Sequence, residues 1–579
     1  MLKILRYLAP YRGYVALVLI LTFFQALSTL YLPQLMSNIV DIGIVQGNVH
    51  YIVRLGLIML GVTFFGGLSA IGGSLFAAKS SAGYAQLLRS KIFSHVESFG
   101  LREFDMLGTS SLIVRTNNDV MQVQQMVQMM LRMMIIAPLT SIGGVIMAIR
   151  TNAHLALSMI VVVPLLGVTV WLILGRGIPL FRVIQTKVDR LNRVVRENLV
   201  GVRVVRAFHR ESHERQRFYD ANDELTQISV RVFQMMALMM PLVMLIMNWA
   251  TVAIFWWGSI RLNQGQLQVG SLMAFIQYFS QIMFSVMMVS MMSFMLPRAQ
   301  ASAVRIAEVL DVTPAIADMM PIPQPQAAPF HPRSLRFENV TFYYPGAEEP
   351  ALADMSFEAQ IGETVAVIGG TGAGKTTLLN LIPRFYDVHA GAVYANGQNI
   401  RDIPVPILRQ SLGMVSQRPA LFSGTIIDNI RYGNPDATLD QIQEALEVAQ
   451  AWEFVRELPQ GANTFLEQGG VNLSGGQRQR LSIARALVRH PAIYLFDDTF
   501  SALDYKTDAS LRRALRQHTA NAISIIVAQR VATIMDADQI LVLDEGRLAE
   551  AGTHSQLMAR SSVYKEIVAS QLSPEEIAQ

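Results

Sequence analysis

GGTGAGKTT, Gly369–Thr377, is the stretch that decides the fold of the second half of this chain. Within it, Gly369 through Thr376 spell G-x-x-x-x-G-K-T. A β-branched apolar run, Thr364–Ile368, precedes it, and a helical pattern, Lys375–Ile382, follows it. That strand–loop–helix context is what a phosphate-binding loop requires. Its glycines let backbone N–H groups curl around phosphate oxygens without Cβ clashes. The helix start adds positive potential, and Lys375 adds a full charge. Gly369, Gly370, Thr371, Gly372, Ala373, Gly374, Lys375, Thr376 and Thr377 are therefore the expected nucleotide cradle, with the Thr376 hydroxyl placed for Mg²⁺.

Working outward, LSGGQ at Leu473–Gln477 lies about a hundred residues downstream. Ser474, Gly475 and Gly476 offer small side chains and backbone N–H groups at a helix start, and Gln477 closes the motif. IYLFDD, Ile493–Asp498, reads as a buried strand ending in Asp497, a carboxylate placed to hold a Mg²⁺ shell. Gln417, in GMVSQRPALFSGTI, carries an amide that can reach Mg²⁺ or water at the phosphate. Tyr344, in VTFYYPG, offers a ring that can stack on a base or simply pack. Alternating strands, LRFENVTFYY and then TVAVIG, mark this half as an α/β unit.

The first half is of a different kind. Of 579 residues, 52% are hydrophobic and only 16% charged, with mean hydropathy +0.34. Soluble domains carry about 25% charged residues, so part of the chain must face lipid. Six apolar stretches are long enough to span a bilayer: approximately Tyr14–Met36, Leu55–Ala78, Met130–Ile149, Leu155–Leu174, Met235–Trp257 and Leu272–Met295. MLKILRYLAPYR at the N-terminus reads as an amphipathic helix on the inner face. The loops after spans two and four are long and rich in basic residues, Arg182 to Arg210 in the second. Positive-inside reasoning places both, and both termini, in the cytoplasm of a cell with this protein in its inner or plasma membrane. The pI near 9.2 follows from those loops, so no nucleic-acid partner is expected.

The spans hold no carboxylate or histidine of the kind that ion coupling uses, which disfavours proton- or sodium-driven transport. Gln25, Asn248, Gln277 and Gln281 are read as interhelical hydrogen-bonders or, more sharply, as a cavity wall. Arg132 and Arg150 bracket span three about 27 Å apart and can snorkel to opposite interfaces. The 31 methionines, clustered in QMVQMMLRMM, QMMALMMPLVMLIM and MFSVMMVSMMSFM, suit a surface for hydrophobic or amphipathic cargo. With no cysteine, disulfides, thiolate metal sites and thiol switches are excluded. A proline-rich spacer, VTPAIADMMPIPQPQAAPFHPR, separates the halves. The expected domains are thus 1–311 in the membrane, a 312–333 linker and 334–579 binding nucleotide.

The ordered set Tyr344, Gly369–Thr376, Gln417, Leu473–Gln477, Asp497 and Ser501–Asp504 resembles the ATP-binding cassette (ABC) exporters, in which a membrane domain is fused ahead of a nucleotide domain. ENLVGVRVVRAFHRE (Glu197–Glu211) and LGTSSLIVRTNNDV (Leu107–Val120) are similar to the family's two cytoplasmic loops. The resemblance implies six transmembrane helices extended into the cytoplasm plus an α/β phosphate-loop domain, with ATP and Mg²⁺ as ligands. Short coupling helices at the loop tips would dock into the nucleotide domains. Two nucleotide domains would pair head to tail, each ATP held between one phosphate loop and the other domain's LSGGQ.

Two positions depart from the family pattern. The residue after Asp497 is usually a glutamate acting as general base; here it is Asp498. The usual switch histidine is Gln529, in VAQR. A carboxylate shortened by one methylene is withdrawn by about 1.5 Å, and Gln529 can donate a hydrogen bond but carries no charge. Both departures fall in the site built on this chain's own phosphate loop, whereas LSGGQ, which serves the opposite site, is intact. The expectation is a degenerate, slow site in a heterodimer with a second, non-identical half-transporter, similar to bacterial multidrug half-transporters. A homodimer using rearranged water is the alternative. The expected activity is export of hydrophobic or amphipathic compounds. A lipid translocase and an ATP-gated channel or receptor-like switch are the rival readings, and an importer is a weaker one.

Overall fold

A computed structural model describes residues 2–292, 295–316 and 330–571. The chain divides into two compact units, Met1–Glu97 with Ser110–Val312, and Ser98–Thr109 with Thr313–Gln579. Most of the proline-rich spacer, residues 317–329, lies outside the described residues, as do residues 293–294 near the end of span six.

The first unit is helical. Among the described residues, six helices are long and apolar enough to cross a membrane. Several run far past a bilayer. Val49–Glu97 has 49 residues, about 73 Å at the α-helical rise, against a hydrocarbon core of about 30 Å. Span one ends in a π-helical turn, Ile39–Ile44, that presents Asp41 to the start of the helix Val269–Met292. Asp41 accepts from the Gly270 backbone N–H (2.6 Å), from Ser37 Oγ (3.1 Å) and from Ser271 Oγ (3.3 Å). A carboxylate there satisfies otherwise open donors at a helix N-terminus.

Several polar groups within the spans link helices. Gln281 Nε2 donates to Thr29 O (3.3 Å), Tyr278 Oη to Leu30 O (3.0 Å), and Arg132 Nη1 to Ser74 Oγ (2.9 Å). Asn248 and Gln277 are exposed on the unit. Nearer the second unit in sequence, Asp119 is buried in a π-helical turn, Arg115–Asp119, and pairs with Arg305 on the helix Met295–Asp311 (Nε to Oδ2 2.8 Å). In the second long loop, Ala153–Val200 packs against Glu211–Ala237, where Glu224 receives both Lys187 (2.7 Å) and Arg190 (2.6 Å). The tip of that loop is a short helix, Val202–Ala207, flanked by Val200 and Phe208, which are 83% and 75% exposed.

Among the described residues, the second unit carries three sheets. Its strands in chain order are β1 (Ser334–Phe342), β2 (Leu352–Gln360), β3 (Thr364–Gly369), β4 (Ala390–Ala395), β5 (Gln398–Asn399), β6 (Leu412–Val415), β7 (Gly424–Thr425), β8 (Phe465–Leu466), β9 (Ile493–Asp497), β10 (Ile523–Val527), β11 (Gln539–Asp544) and β12 (Arg547–Gly552). An antiparallel sheet has the order β2-β1-β4-β5, and β7 pairs with β8. Alternating burial along β2 shows that this sheet keeps one face on the core. Phe337 and Phe357 sit directly opposite across β1 and β2 with rings stacked at 4.6 Å, a cross-strand pair that fixes the register.

The central sheet has the order β12-β11-β3-β10-β9-β6, parallel except for β12. Its inner strands are covered on both faces, so β9 is buried at every residue, as its unbroken apolar run requires. The loops at the carboxyl ends of β3 and β9 therefore emerge at the same edge of the sheet, one on each side of β10.

The helix Leu101–Leu107 belongs to this second unit although it lies in the first long loop of the membrane half. Leu101 packs on the core formed by Phe337, Phe342 and Tyr386. Glu103 is buried and accepts from the backbone N–H of Gly100 (2.8 Å) and Ala315 (3.1 Å). Tyr386 Oη donates to Asp105 Oδ2 (2.7 Å), and burial together with the Asp105 charge pushes the phenol's pKa up.

Candidate nucleotide site

β3 ends where the phosphate loop begins, and the glycines of that loop are dictated by backbone approach. A Cβ at Gly369 would lie 2.2 Å from Leu543 O on the neighbouring β11. Gly374 has φ +91° and would place a Cβ 2.6 Å from Ala351 O, so both conformation and space demand glycine there. The helix Lys375–Leu381 follows at once. Lys375 Nζ folds back onto its own loop, donating to Gly369 O (2.9 Å) and Gly370 O (2.6 Å).

Thr376 Oγ1 donates to Asp497 Oδ1 (3.1 Å), so the two groups expected at the metal face each other. Burial raises the pKa of Asp497, with the Asp498 charge pushing the same way and Thr376 and Lys375 opposing. Burial pulls the Lys375 ammonium down, opposed by Asp498 and Asp497. An anionic phosphate at Lys375 and a divalent cation at Asp497 each favour the charged form that burial disfavours. A hydroxyl and a carboxylate at hydrogen-bond distance form a hard oxygen donor set, which suits Mg²⁺.

Asp498 has a fixed backbone. Its φ is +45°, its N–H donates to Val527 O (2.9 Å), and its carbonyl accepts from Ser501 Oγ (2.9 Å). The residue is 8% exposed. Both nearby amides converge on a single carboxylate oxygen: Gln417 Nε2 donates to Asp498 Oδ2 at 3.1 Å and Gln529 Nε2 at 2.8 Å. The expected targets are Mg²⁺ or water at the phosphate for Gln417 and phosphate for Gln529; here each amide donates to the carboxylate between them.

Tyr344 is half-buried. Its hydroxyl lies 3.0 Å from Thr377 Oγ1, and its ring meets Phe342 and Tyr386 edge-on at 5.0 and 5.6 Å. Ser474 caps the helix Gly475–Leu487. Its N–H donates to Gln477 Oε1 (2.9 Å) while its Oγ accepts from the Gln477 N–H (3.3 Å), a reciprocal capping box. Gln477 is thus committed to the helix start, and the motif stands apart from the phosphate loop in sequence and in hydrogen bonding. Gln571 belongs to no motif in the sequence. Its amide accepts from Val531 N–H (2.8 Å) and donates to Gln529 O (2.8 Å), clamping the segment that carries Gln529. A lone glutamine near the C-terminus gives no signal of that role.

Two family models match this chain. The ABC transporter transmembrane region covers residues 15–286, and the ABC transporter model, which describes the ATPase, covers residues 352–501. A curated relative, an uncharacterized ABC transporter ATP-binding protein of Mycobacterium tuberculosis, is 44% identical over 99% of this chain and 98% of its own length.

The chain belongs to the ABC transporter family.

A further relative of this ABC transporter chain is a fatty acid ABC transporter ATP-binding/permease protein of Mycobacterium bovis, 35% identical over 83% of this chain and 75% of that protein. Among solved structures, a bacterial Atm1-family ABC exporter with ATP bound aligns with a TM-score of 0.79 and 27% identity, covering 98% of this chain and 99% of that one. The chain is therefore a multi-pass membrane protein of ABC exporter type, in which a transmembrane region is fused to an ATPase domain that binds and hydrolyses ATP.

Proposed function

We propose that this chain is one half of an ATP-driven exporter of hydrophobic or amphipathic compounds and pairs with a non-identical half-transporter. In this reading, residues 1–311 form the membrane domain, 312–333 the linker and 334–579 the nucleotide domain. Both termini and the nucleotide domain lie in the cytoplasm, as the basic long loops require. ATP is held by Gly369–Thr377 with Tyr344 at the base and by the mate's own signature motif, while this chain's Ser474–Gln477 completes the ATP site on the mate. Mg²⁺ is held by Thr376, Asp497 and Gln417. When bound, Mg²⁺ supplies charge neutralisation at the phosphates.

One observation carries the assignment of a slow site: Asp498 offers a short carboxylate whose Oδ2 already accepts from both Gln417 and Gln529. A general base must reach the proton it abstracts. Here the carboxylate is short, and no imidazole stands at position 529. Ser474, Gly475 and Gly476 are intact, so the mate's site remains competent. The two loop tips support a two-chain assembly. The first, Leu101–Leu107, packs within this chain's own nucleotide unit. The second exposes Val200, Val204 and Phe208, an apolar tip of the kind that marks an interface. The fatty-acid relative favours amphiphiles over compact hydrophilic cargo, and the methionine-rich spans agree.

Inverted vesicles containing both chains test the reading. A lipophilic dye or labelled fatty acid is expected to accumulate against its gradient when Mg²⁺-ATP is added, and not with a non-hydrolysable analogue. Flux that only follows the gradient would assign a channel instead.

A further inference from the structure

Two helical layers cover one face of the central sheet. One centres on Leu481, Leu511 and Leu515, the other on Leu557, Tyr564 and Ile534. Ile526 of β10 packs against both, so it marks the seam between them. At that seam lies a cavity of about 670 Å³. Phe496, Ser524 and Ile526 line it from the strands. The helix Tyr505–His518 forms one wall and residues 533–537 the other. Two arginines one helical turn apart reach across from wall to wall: Arg512 Nη1 donates to Ala532 O (2.9 Å) and Arg516 Nη2 to Asp536 O (3.0 Å).

Packing alone does not account for the polar groups of this cavity. Ser524 is 3% exposed, yet its hydroxyl has no hydrogen-bond partner, and Arg512 Nε is likewise buried and unpartnered. Buried polar groups are normally satisfied. The lining holds three arginines, Arg512, Arg513 and Arg516, against one acid, Asp536. Asp508 pairs with Arg512 at 3.2 Å, which leaves Arg513 and Arg516 without an ion pair among the described residues.

We propose that this cavity binds an amphipathic monoanion, with its carboxylate-type head at Arg513 and Arg516 and its apolar body against Phe496, Phe500 and Ile526. Arg512 Nε and Ser524 Oγ offer hydrogen bonds within it. The site is regulatory in position. Phe500 and Thr533 line both this cavity and the small pocket holding Asp498 and Gln529. An occupant therefore presses on the segments that carry both residues. The inference is independent of the heterodimer reading, because every group it uses lies in one chain.

The test is photolabelling of the full chain in lipid nanodiscs with a diazirine-bearing decanoate, alongside the matching decanol. The decanoate is expected to label residues 496–500, 524–526 or 533–537, with the alcohol labelling there about tenfold less, as the loss of charge-assisted hydrogen bonds implies. An R513Q/R516Q double variant should lose labelling by a similar factor, and A509W, which fills the cavity wall, should lose it while both arginines remain. Retained ATP crosslinking certifies that each variant is folded. Equal labelling by the alcohol, unchanged labelling in either variant, or label confined to the membrane helices overturns the proposal.

Discussion

Replacing Asp498 by glutamate together with Gln529 by histidine is expected to raise ATP turnover of the chain purified alone by about 10²-fold, the lower end of what a positioned general base contributes. The backbone at Asp498 is fixed by its left-handed φ and by its bond to Val527 O, so only side-chain length can advance the carboxylate. One methylene supplies about 1.5 Å. The histidine removes the Gln529 amide that now donates to Asp498 Oδ2 and adds an imidazole that can take up a proton. Phosphate release at saturating Mg²⁺-ATP should therefore acquire a pH dependence in the double variant that the parent lacks. Gln529→His alone should change the rate little, because the short carboxylate persists. A double variant no faster than the parent would show that Asp498 does not limit turnover.

Gly475→Asp is expected to silence the assembled two-chain transporter, lowering turnover by about 10² to 10³, while Asp498→Asn in the same assembly changes it by less than about twofold. A Cβ at Gly475 meets open space within this chain, so the substitution does not strain the fold. An aspartate at the first position of the helix Gly475–Leu487 even complements its dipole. It does place a negative charge where the mate's γ-phosphate must approach. Thermal unfolding of the isolated chain should accordingly stay near that of the parent, which separates a lost composite site from a misfolded one. Equal losses from the two substitutions would place the productive site on this chain's own phosphate loop.

Much of this was legible in the residues. The phosphate loop, the apolar run ending in Asp497 and the six long spans each depend on local pattern, and local pattern is what a sequence displays. The structure extends β3 to Gly369 and ends the following helix at Leu381, one residue away from the reading in each case. What could not be read depends on partners distant in sequence. Nothing in LREFDML says that Glu103 will bind the Ala315 N–H or that Asp105 will meet Tyr386. Asp41 reads as an ordinary loop acid until the fold brings Gly270 and Ser271 to it. Gln417 and Gln529 were identifiable as site residues, but their shared acceptor was not, because amide direction is set by whatever lies opposite in three dimensions. Tyr344 shows the same limit, since its hydroxyl bond to Thr377 depends on how β1 and the phosphate-loop helix pack.

In the proposed heterodimer this chain clamps nucleotide without cleaving it efficiently. Steady-state ATP hydrolysis by the unaltered chain, purified alone in lipid nanodiscs with bound nucleotide quantified in parallel, reads this out. Stoichiometric ATP retention is expected, with turnover about 10² to 10⁴ below that of the complete two-chain assembly. Turnover equal to that of the assembly would contradict it.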